Sequence, residues 1–396
     1  MNSFEFYNPV KIVFGDGESG NIGKYATGLG NTALIISYTN TDFYGSLFDN
    51  IQRKLDAVGI KSYTFFGATA NPKISEALSG IAKAKRVGAD FLIGVGGGSV
   101  MDLTKIIAAG IKYPHDIRRM IKFSHSTNEY IPPVEALPMI MIPTLPATAS
   151  EMNPTAVITD DDTLRKSYVW EPSCLYPRVS VLDPTLTSTL PAYQTASGAI
   201  DSISHIVEAF IFSDEQTYGN IDLQSNMQIA VIKTIYDNLP KVLKAPDDIE
   251  LRSVMQFSAT VALNGWLTCG VQGWTPMHQM GHVLSSHYNA THGATLAAMM
   301  LAWMRFFANH KQNQRFKAFA KAIFGTENLL TAADIFEDYI KNVGVETRIS
   351  QFGCTAECLD ELTDGVVEVS FSSDGTLASI PPVTRREVYE IYKIAL

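Results

Sequence analysis

The sequence predicts an α/β fold made of a parallel-sheet half followed by an all-α half, and three observations carry that expectation. Over residues 1–184, short apolar or β-branched runs alternate with segments of helical periodicity, the pattern of repeated βαβ units. Beyond Asp183-Pro184, apolar residues recur at spacings of three and four almost throughout, as they do in amphipathic helices. The chain has 396 residues, 46% hydrophobic and 18% charged, enough to bury a large core. Two moderate domains, 1–184 and 185–396, are therefore expected.

In order, the strand candidates are residues 11–14, 33–37, 62–66, 91–95, 139–142, 156–158 and 179–182. Between them, residues 45–58 and 74–87 carry helical spacing, and the segment 100–109 continues a helix from a glycine turn. The second half offers helices over 192–212, 220–239, 249–263, 278–284 and 293–308. No Gly/Ser-rich linker separates the halves, so they should pack closely around a cleft, a preferred place for a ligand.

Composition excludes several function classes. Lys and Arg total 31 against 40 Asp and Glu, a formal charge of -9, which removes the basic footprint of a nucleic-acid or anionic-membrane binder. The longest apolar stretch, 294–304, ends at Arg305 and is about half of what spans a bilayer. Met1-Asn2-Ser3-Phe4-Glu5 lacks a basic and an apolar leader region, so a cytoplasmic location is expected. Cys174, Cys269, Cys354 and Cys358 are too few and scattered for a disulfide framework, and the C-x3-C pair Cys354/Cys358 has no second pair to complete a zinc site.

The segment Phe91-Leu92-Ile93-Gly94-Val95 runs into Gly96-Gly97-Gly98-Ser99 and then a helix. Residues without side chains at a strand-to-helix turn let backbone N–H groups and the helix dipole meet a pyrophosphate. The turn matches neither G-x-G-x-x-G nor the P-loop pattern; alone, it could be an ordinary tight turn. A second polar turn, Thr144-Leu145-Pro146-Ala147-Thr148-Ala149-Ser150-Glu151, follows the next long strand, where open α/β sheets place ligands. Two such turns point to a Rossmann-like dinucleotide domain.

Four of the eight histidines, His278, His282, His287 and His292, fall close together. His278 and His282 share one helical face, as do Asp201 and His205 upstream, with Glu208 one turn further. A carboxylate and imidazoles on buried helix edges need a partner, and a divalent cation such as Fe²⁺, Zn²⁺, Mn²⁺ or Co²⁺ would satisfy them. His292 follows a break at Tyr288-Asn289 and could return to the same face. His287 falls off the stripe, and His115, His125 and His310 read as solvated surface.

Together, Gly96-Gly97-Gly98-Ser99-x-x-Asp102, Thr144-Leu145-Pro146-Ala147-Thr148, Asp201-x-x-x-His205 and His278-x-x-x-His282 followed by His292 resemble the iron-containing (group III) alcohol dehydrogenase family. The resemblance runs from Phe6-Tyr7-Asn8-Pro9 to about Leu301. Glu151-Met152-Asn153 and Ala262-Leu263-Asn264-Gly265 are similar to its butanol dehydrogenase and broad-range aldehyde reductase subgroup. It implies one Fe²⁺ or Zn²⁺ held by Asp201, His205, His278 and His292, with His282 on the substrate side. It also implies dinucleotide contacts at Tyr38, Gly97, Gly98, Ser99, Asp102, Thr144, Leu145, Thr148, Lys166 and Leu182. Relatives usually carry glycine where Ala149 stands, which implies a stiffer loop here.

The resemblance implies reversible hydride transfer between nicotinamide C4 and a small aliphatic aldehyde, in a cytoplasmic homodimer. Tyr38 ends the second strand where an acidic residue would select NAD, which tilts the expectation to NADP, while Asp42 close behind favours NAD. The rivals are a dehydroquinate synthase-like or glycerol dehydrogenase-like enzyme of the same architecture and a non-enzymatic metal-binding protein. A dehydroquinate synthase-like enzyme needs a strongly basic pocket for a phosphorylated acid, whereas the segments around Trp266, Trp274, Met277 and Met280 are apolar.

Overall fold

The computed structural model describes residues 2–122, 129–213, 215–271, 273–311 and 313–396. The first half contains β1 (Lys11–Phe14), α1 (Ile22–Ala26), β2 (Thr32–Tyr38), α2 (Leu47–Asp56), β3 (Lys61–Ala68), α3 (Ile74–Val87), β4 (Phe91–Gly96), α4 (Gly98–Lys112), β5 (Met139–Pro143), β6 (Thr155–Asp160), β7 (Arg165–Trp170) and β8 (Val179–Leu182). Six strands form a sheet in the order β1-β8-β5-β4-β2-β3, and every pair in it is parallel. β4 and β5 are buried along their whole length, which is why they read as continuous apolar runs rather than alternating ones.

The strand expected at 156–158 forms, but outside the parallel sheet. β6 pairs antiparallel with β7, from Thr155 opposite Trp170 to Asp160 opposite Arg165. A parallel neighbour requires a crossover of about a dozen residues or more, and the connection here is the tight turn 161–164, with Leu164 at φ 57°. The sequence carries no apolar strand signal for β7 because Arg165-Lys166-Ser167 places two cations at its start.

Strand order reverses between β2 and β4, since the chain leaves β2 toward β3 and leaves β4 toward β5. The crevice outside the carboxyl ends at such a switch point is where doubly wound sheets bind ligands. Tyr38 and the glycine turn stand on its two sides.

The second half contains α5 (Ala192–Ile211), α6 (Glu215–Tyr218), α7 (Asp222–Lys244), α8 (Ile249–Ala262), α9 (Pro276–Tyr288), α10 (His292–His310), α11 (Gln314–Phe324), α12 (Leu329–Asn342) and α13 (Leu359–Ser370), then a small ribbon of β9 (Thr376–Leu377) and β10 (Val383–Thr384), and α14 (Arg385–Ala395). α5 is buried from Thr195 to Ile211, and α10 from Gly293 to Met304. Helices apolar all round belong at the centre of a large core, and both do, α10 lying against α5, α9, α12 and α14. Among the described residues no helix is long and apolar enough to cross a membrane.

Candidate functional site: a glycine turn facing an aspartate–histidine cluster

β4 ends at the glycine turn and α4 begins at Gly98 with no side chain capping its first N–H groups. The amides of Gly98 and Ser99 thus lack intrahelical acceptors and open on the cleft. A Cβ on Gly98 would stand 2.5 Å from Thr148 Cγ2, so glycine is what lets the two polar turns meet. Gly97 donates its N–H to Tyr38 Oη at 3.2 Å.

Two cavities open here, of about 470 and 620 Å³, and Asn71, Gly98, Ser99, Thr148 and His292 line both. The larger also touches Tyr38, Thr144, Leu145 and Asp201. The smaller touches Asp102, Lys166, His205, His278 and His282.

The helical half contributes three converging elements. α5 carries Asp201 and His205, α9 carries His278 and His282, and Asn289 at φ 49° ends α9 so that His292 opens α10. A Cβ on Gly293 would lie 1.9 Å from the Ser197 carbonyl oxygen; only glycine admits this approach of α10 to α5. Asp201, His278 and His292 each offer a ligand atom within 4.8 Å of the others. Asp201 Oδ1 lies 3.7 Å from both His278 Nε2 and His292 Nε2, and 3.9 Å from His205 Nε2. These spacings are too long for direct hydrogen bonds and suit groups gathered around one ion.

Asp201 Oδ1 and His278 Nε2 are buried without hydrogen-bond partners. An unpartnered buried carboxylate is costly, and one oxygen with imidazole nitrogens is a donor set for a divalent transition ion, so the residues fit a cation. His205 lies outside the tight trio, stacked on His278 with ring centroids 4.4 Å apart. Burial pushes the Asp201 carboxyl up, but His205, His278 and Lys166 outweigh it and hold it below its ordinary value. Burial, with the Lys166 charge, pushes His282 and His292 well down, leaving both imidazoles neutral.

Glu208 completes the cluster from beneath. Wholly buried, it accepts a hydrogen bond from His278 Nδ1 and the N–H groups of Met277 at 2.5 Å and His278 at 3.3 Å. A carboxylate acceptor at Nδ1 fixes the ring and directs Nε2 toward Asp201. Burial would lower His278, but Glu208 and Asp201 raise it to about 9.

A second buried network joins the two polar turns. Lys105, wholly buried, donates to Ser150 Oγ at 2.7 Å, the Asn153 carbonyl at 2.8 Å and the Thr155 carbonyl at 2.7 Å. Asp102 accepts from Ser150 Oγ at 2.6 Å and Val157 N–H at 3.0 Å. Glu151 accepts from Thr260 of α8 at 2.6 Å, tying the turn to the helical half.

Comparison with known proteins agrees with this geometry. The iron-containing alcohol dehydrogenase profile matches residues 9–184, and the C-terminal profile of the Fe-containing alcohol dehydrogenase family matches residues 195–396. The chain belongs to the iron-containing alcohol dehydrogenase family. Probable NADH-dependent butanol dehydrogenase 1 of Bacillus subtilis strain 168 is 30% identical over 404 residues, with 100% of both chains covered. The NADPH-dependent aldehyde reductase YqhD of Escherichia coli strain K12 is 28% identical, covering 98% of this chain and 99% of the relative. A crystal structure of NADH-dependent butanol dehydrogenase A from Thermotoga maritima superposes with a TM-score of 0.90 at 34% identity, covering 100% of this chain and 99% of that one.

Within this iron-containing alcohol dehydrogenase fold, most of the residues expected from sequence reach the two cavities. Leu182 does not: it is wholly buried at the end of β8, and Leu186 on the following turn lines the larger cavity. Gly97 caps α4 and lines neither cavity. Asp102 borders the smaller one, although its oxygens are engaged by Ser150 and Val157. Lys166 donates to Asn71 Oδ1 at 2.7 Å, and burial lowers its ammonium to about 8 against the pull of Asp102 and Asp201. Ala149 holds φ 49°, a left-handed conformation that suits glycine.

The sequence singled out Glu208 without a role, and Lys105 and Glu151 not as buried anchors. The available signal was charge inside otherwise apolar helix faces, which demands a partner. His115 and His310 are exposed, and His287 bonds the Val283 carbonyl at 2.9 Å; His125 lies outside the described residues. All four cysteines are free.

Proposed function

We propose that this protein reversibly reduces small aliphatic aldehydes to alcohols, using NAD(H) or NADP(H) and one Fe²⁺ or Zn²⁺. The observation that carries the reading is the meeting of the α4 glycine turn and the Asp201, His278 and His292 trio on cavities that share His292, Gly98, Ser99 and Thr148. The dinucleotide belongs to residues 1–184 and the cation to 185–396.

Asp201, His205, His278 and His292 would hold the cation, which supplies a Lewis acid for the carbonyl oxygen; the dinucleotide supplies the hydride. Gly98 and Ser99 bind the pyrophosphate through backbone N–H groups, and Thr144, Leu145 and Thr148 border the nicotinamide half. Lys166 serves the ribose, while Asp102 acts by holding Ser150 in place. His282, one turn from His278 on the smaller cavity's wall, is placed to pass a proton to the product oxygen. Tyr168, Trp170, Tyr176 and Leu263 line the same cavity, exclude water and receive an alkyl chain. Lys166 is the one Lys or Arg among the described lining residues, which disfavours a phosphorylated acid substrate.

A cytoplasmic homodimer completes the proposal: β1 leaves one side of the sheet open, with exposed Phe14 packed on Phe257 beside it. The test is oxidation of NADH and NADPH with butanal by protein purified without oxygen, before and after chelation, then with Fe²⁺ or Zn²⁺ restored. Activity should vanish with the cation and return with one of the two ions; turnover that survives complete removal refutes the cation assignment.

A further inference from the structure

Resting on the dehydrogenase reading, we propose that the adenosine end of the larger cavity selects NAD(H) over NADP(H), and that the Tyr38-Thr39-Asn40 rim makes the choice. The two nucleotides differ by one group, the phosphate on the adenosine ribose. In a doubly wound sheet with the pyrophosphate on the glycine turn, the end of the neighbouring strand reaches that ribose 2′ position. Here the neighbouring strand is β2, hydrogen-bonded to β4, and Tyr38, Thr39 and Asn40 at its end line the cavity.

A 2′-phosphate brings between one and two negative charges and several strong acceptors, so it needs cations or free N–H donors. Among the described residues lining this cavity there is no Lys or Arg. Lys166 lines the smaller cavity instead. Three backbone donors at the rim are already engaged: Gly97 N–H by Tyr38 Oη at 3.2 Å, Thr39 N–H by the Ala68 carbonyl at 3.0 Å, and Asp42 N–H by Asn40 Oδ1 at 2.9 Å. The exposed Asp42 adds a like charge beside Asn40.

A neutral diol meets none of these penalties. The Asn40 side-chain amide and the Thr39 hydroxyl suit two ribose hydroxyls, and Phe43 and Tyr44 on the same wall offer aromatic surface to the base. Tyr38, which by sequence left room for NADP, has its hydroxyl turned onto Gly97 rather than toward a phosphate. A Cβ on Gly96 would lie 3.2 Å from the Tyr38 ring, so the ring is seated against the turn.

The test is equilibrium binding of NADH and NADPH to the cation-loaded protein, followed by nicotinamide fluorescence, alongside kcat/KM for each with butanal. NADH should bind at least about tenfold tighter, and Asn40→Arg should shrink the ratio at least about fivefold by tightening NADPH. Equal affinities in the unaltered protein overturn the proposal, as does an N40R protein of unchanged circular dichroism that keeps the original ratio. If N40R does not fold, the unaltered protein's ratio decides. Binding of neither nucleotide overturns this proposal and the dehydrogenase reading together. Selective NADH binding without aldehyde turnover overturns the substrate assignment and supports this one.

Discussion

The two walls of the cleft are built on opposite principles. In the proposed reading the sheet half would meet its ligand with backbone: Gly98 and Ser99 would offer N–H groups, so binding there would depend on the absence of side chains. The helical half would meet its ligand with side chains, a carboxylate and imidazoles from α5, α9 and α10 that converge only because Gly293 lets two backbones touch. A backbone-made wall should tolerate most neighbouring substitutions but not an added Cβ. A wall made of side chains should fail when any donor is removed, while the fold around it survives.

The largest expected effect is on the side-chain wall. Asp201→Ala should abolish stoichiometric cation binding, measured by elemental analysis, and lower activity by about a thousandfold or more. Near-native cation content would break the contrast. Next come two glycines that differ in what a Cβ would strike. Gly293→Ala drives a methyl into the Ser197 backbone and should cost about 3 kcal/mol, whereas Gly98→Ala meets a Thr148 side chain able to turn aside and should cost about 1 kcal/mol. Urea midpoints measure both; equal losses would show that the α5–α10 approach is no tighter than the glycine turn. Gly98→Ala should nonetheless raise the KM for the nucleotide while leaving cation content intact.

Glu208→Gln tests how far the side-chain wall depends on support from behind. Its cation affinity should fall about 10–100-fold, with nucleotide affinity unaltered; a titration of Zn²⁺ against a chromophoric chelator reads it. The smallest effect concerns pH. Burial pushes the Glu337 carboxyl up, but Lys341, Arg305 and Arg348 outweigh it and bring it from 4.5 down to about 2. A lowered folded-state value means the contribution is complete above about 4.5 and is lost as pH falls toward about 2. With partners partly exposed to water, it should amount to about 1–2 kcal/mol. Glu337→Gln should flatten the acid decline in urea stability across that window, and an unchanged slope would mean the ion pairs around α12 contribute nothing.

The strands of the parallel sheet and the long helices were legible because each is a local pattern: α3 occupies the predicted 74–87, and β4 and β5 follow the apolar runs 91–95 and 139–142. The site was legible for the same reason where its parts repeat at one helical turn, as in Asp201/His205 and His278/His282. Sequence periodicity says which residues share a face. It does not say which faces meet.

That meeting was left to tertiary structure. The bond between His278 and Glu208 joins residues 70 apart, and the one between Lys105 and Asn153 joins residues 48 apart. No local spacing encodes either partner. β6 left the parallel sheet because a short turn gave it β7 before any crossover could form. Leu182 does not reach the larger cavity, whereas Leu186 lines it, because the end of β8 is sealed in the core. Local patterns marked the strands of the parallel sheet, the long helices up to α10, the glycine turn and the donor types. Packing decided which buried charge finds which partner, because only the close approach of segments distant in the chain removes water from those charges and makes the pairing necessary.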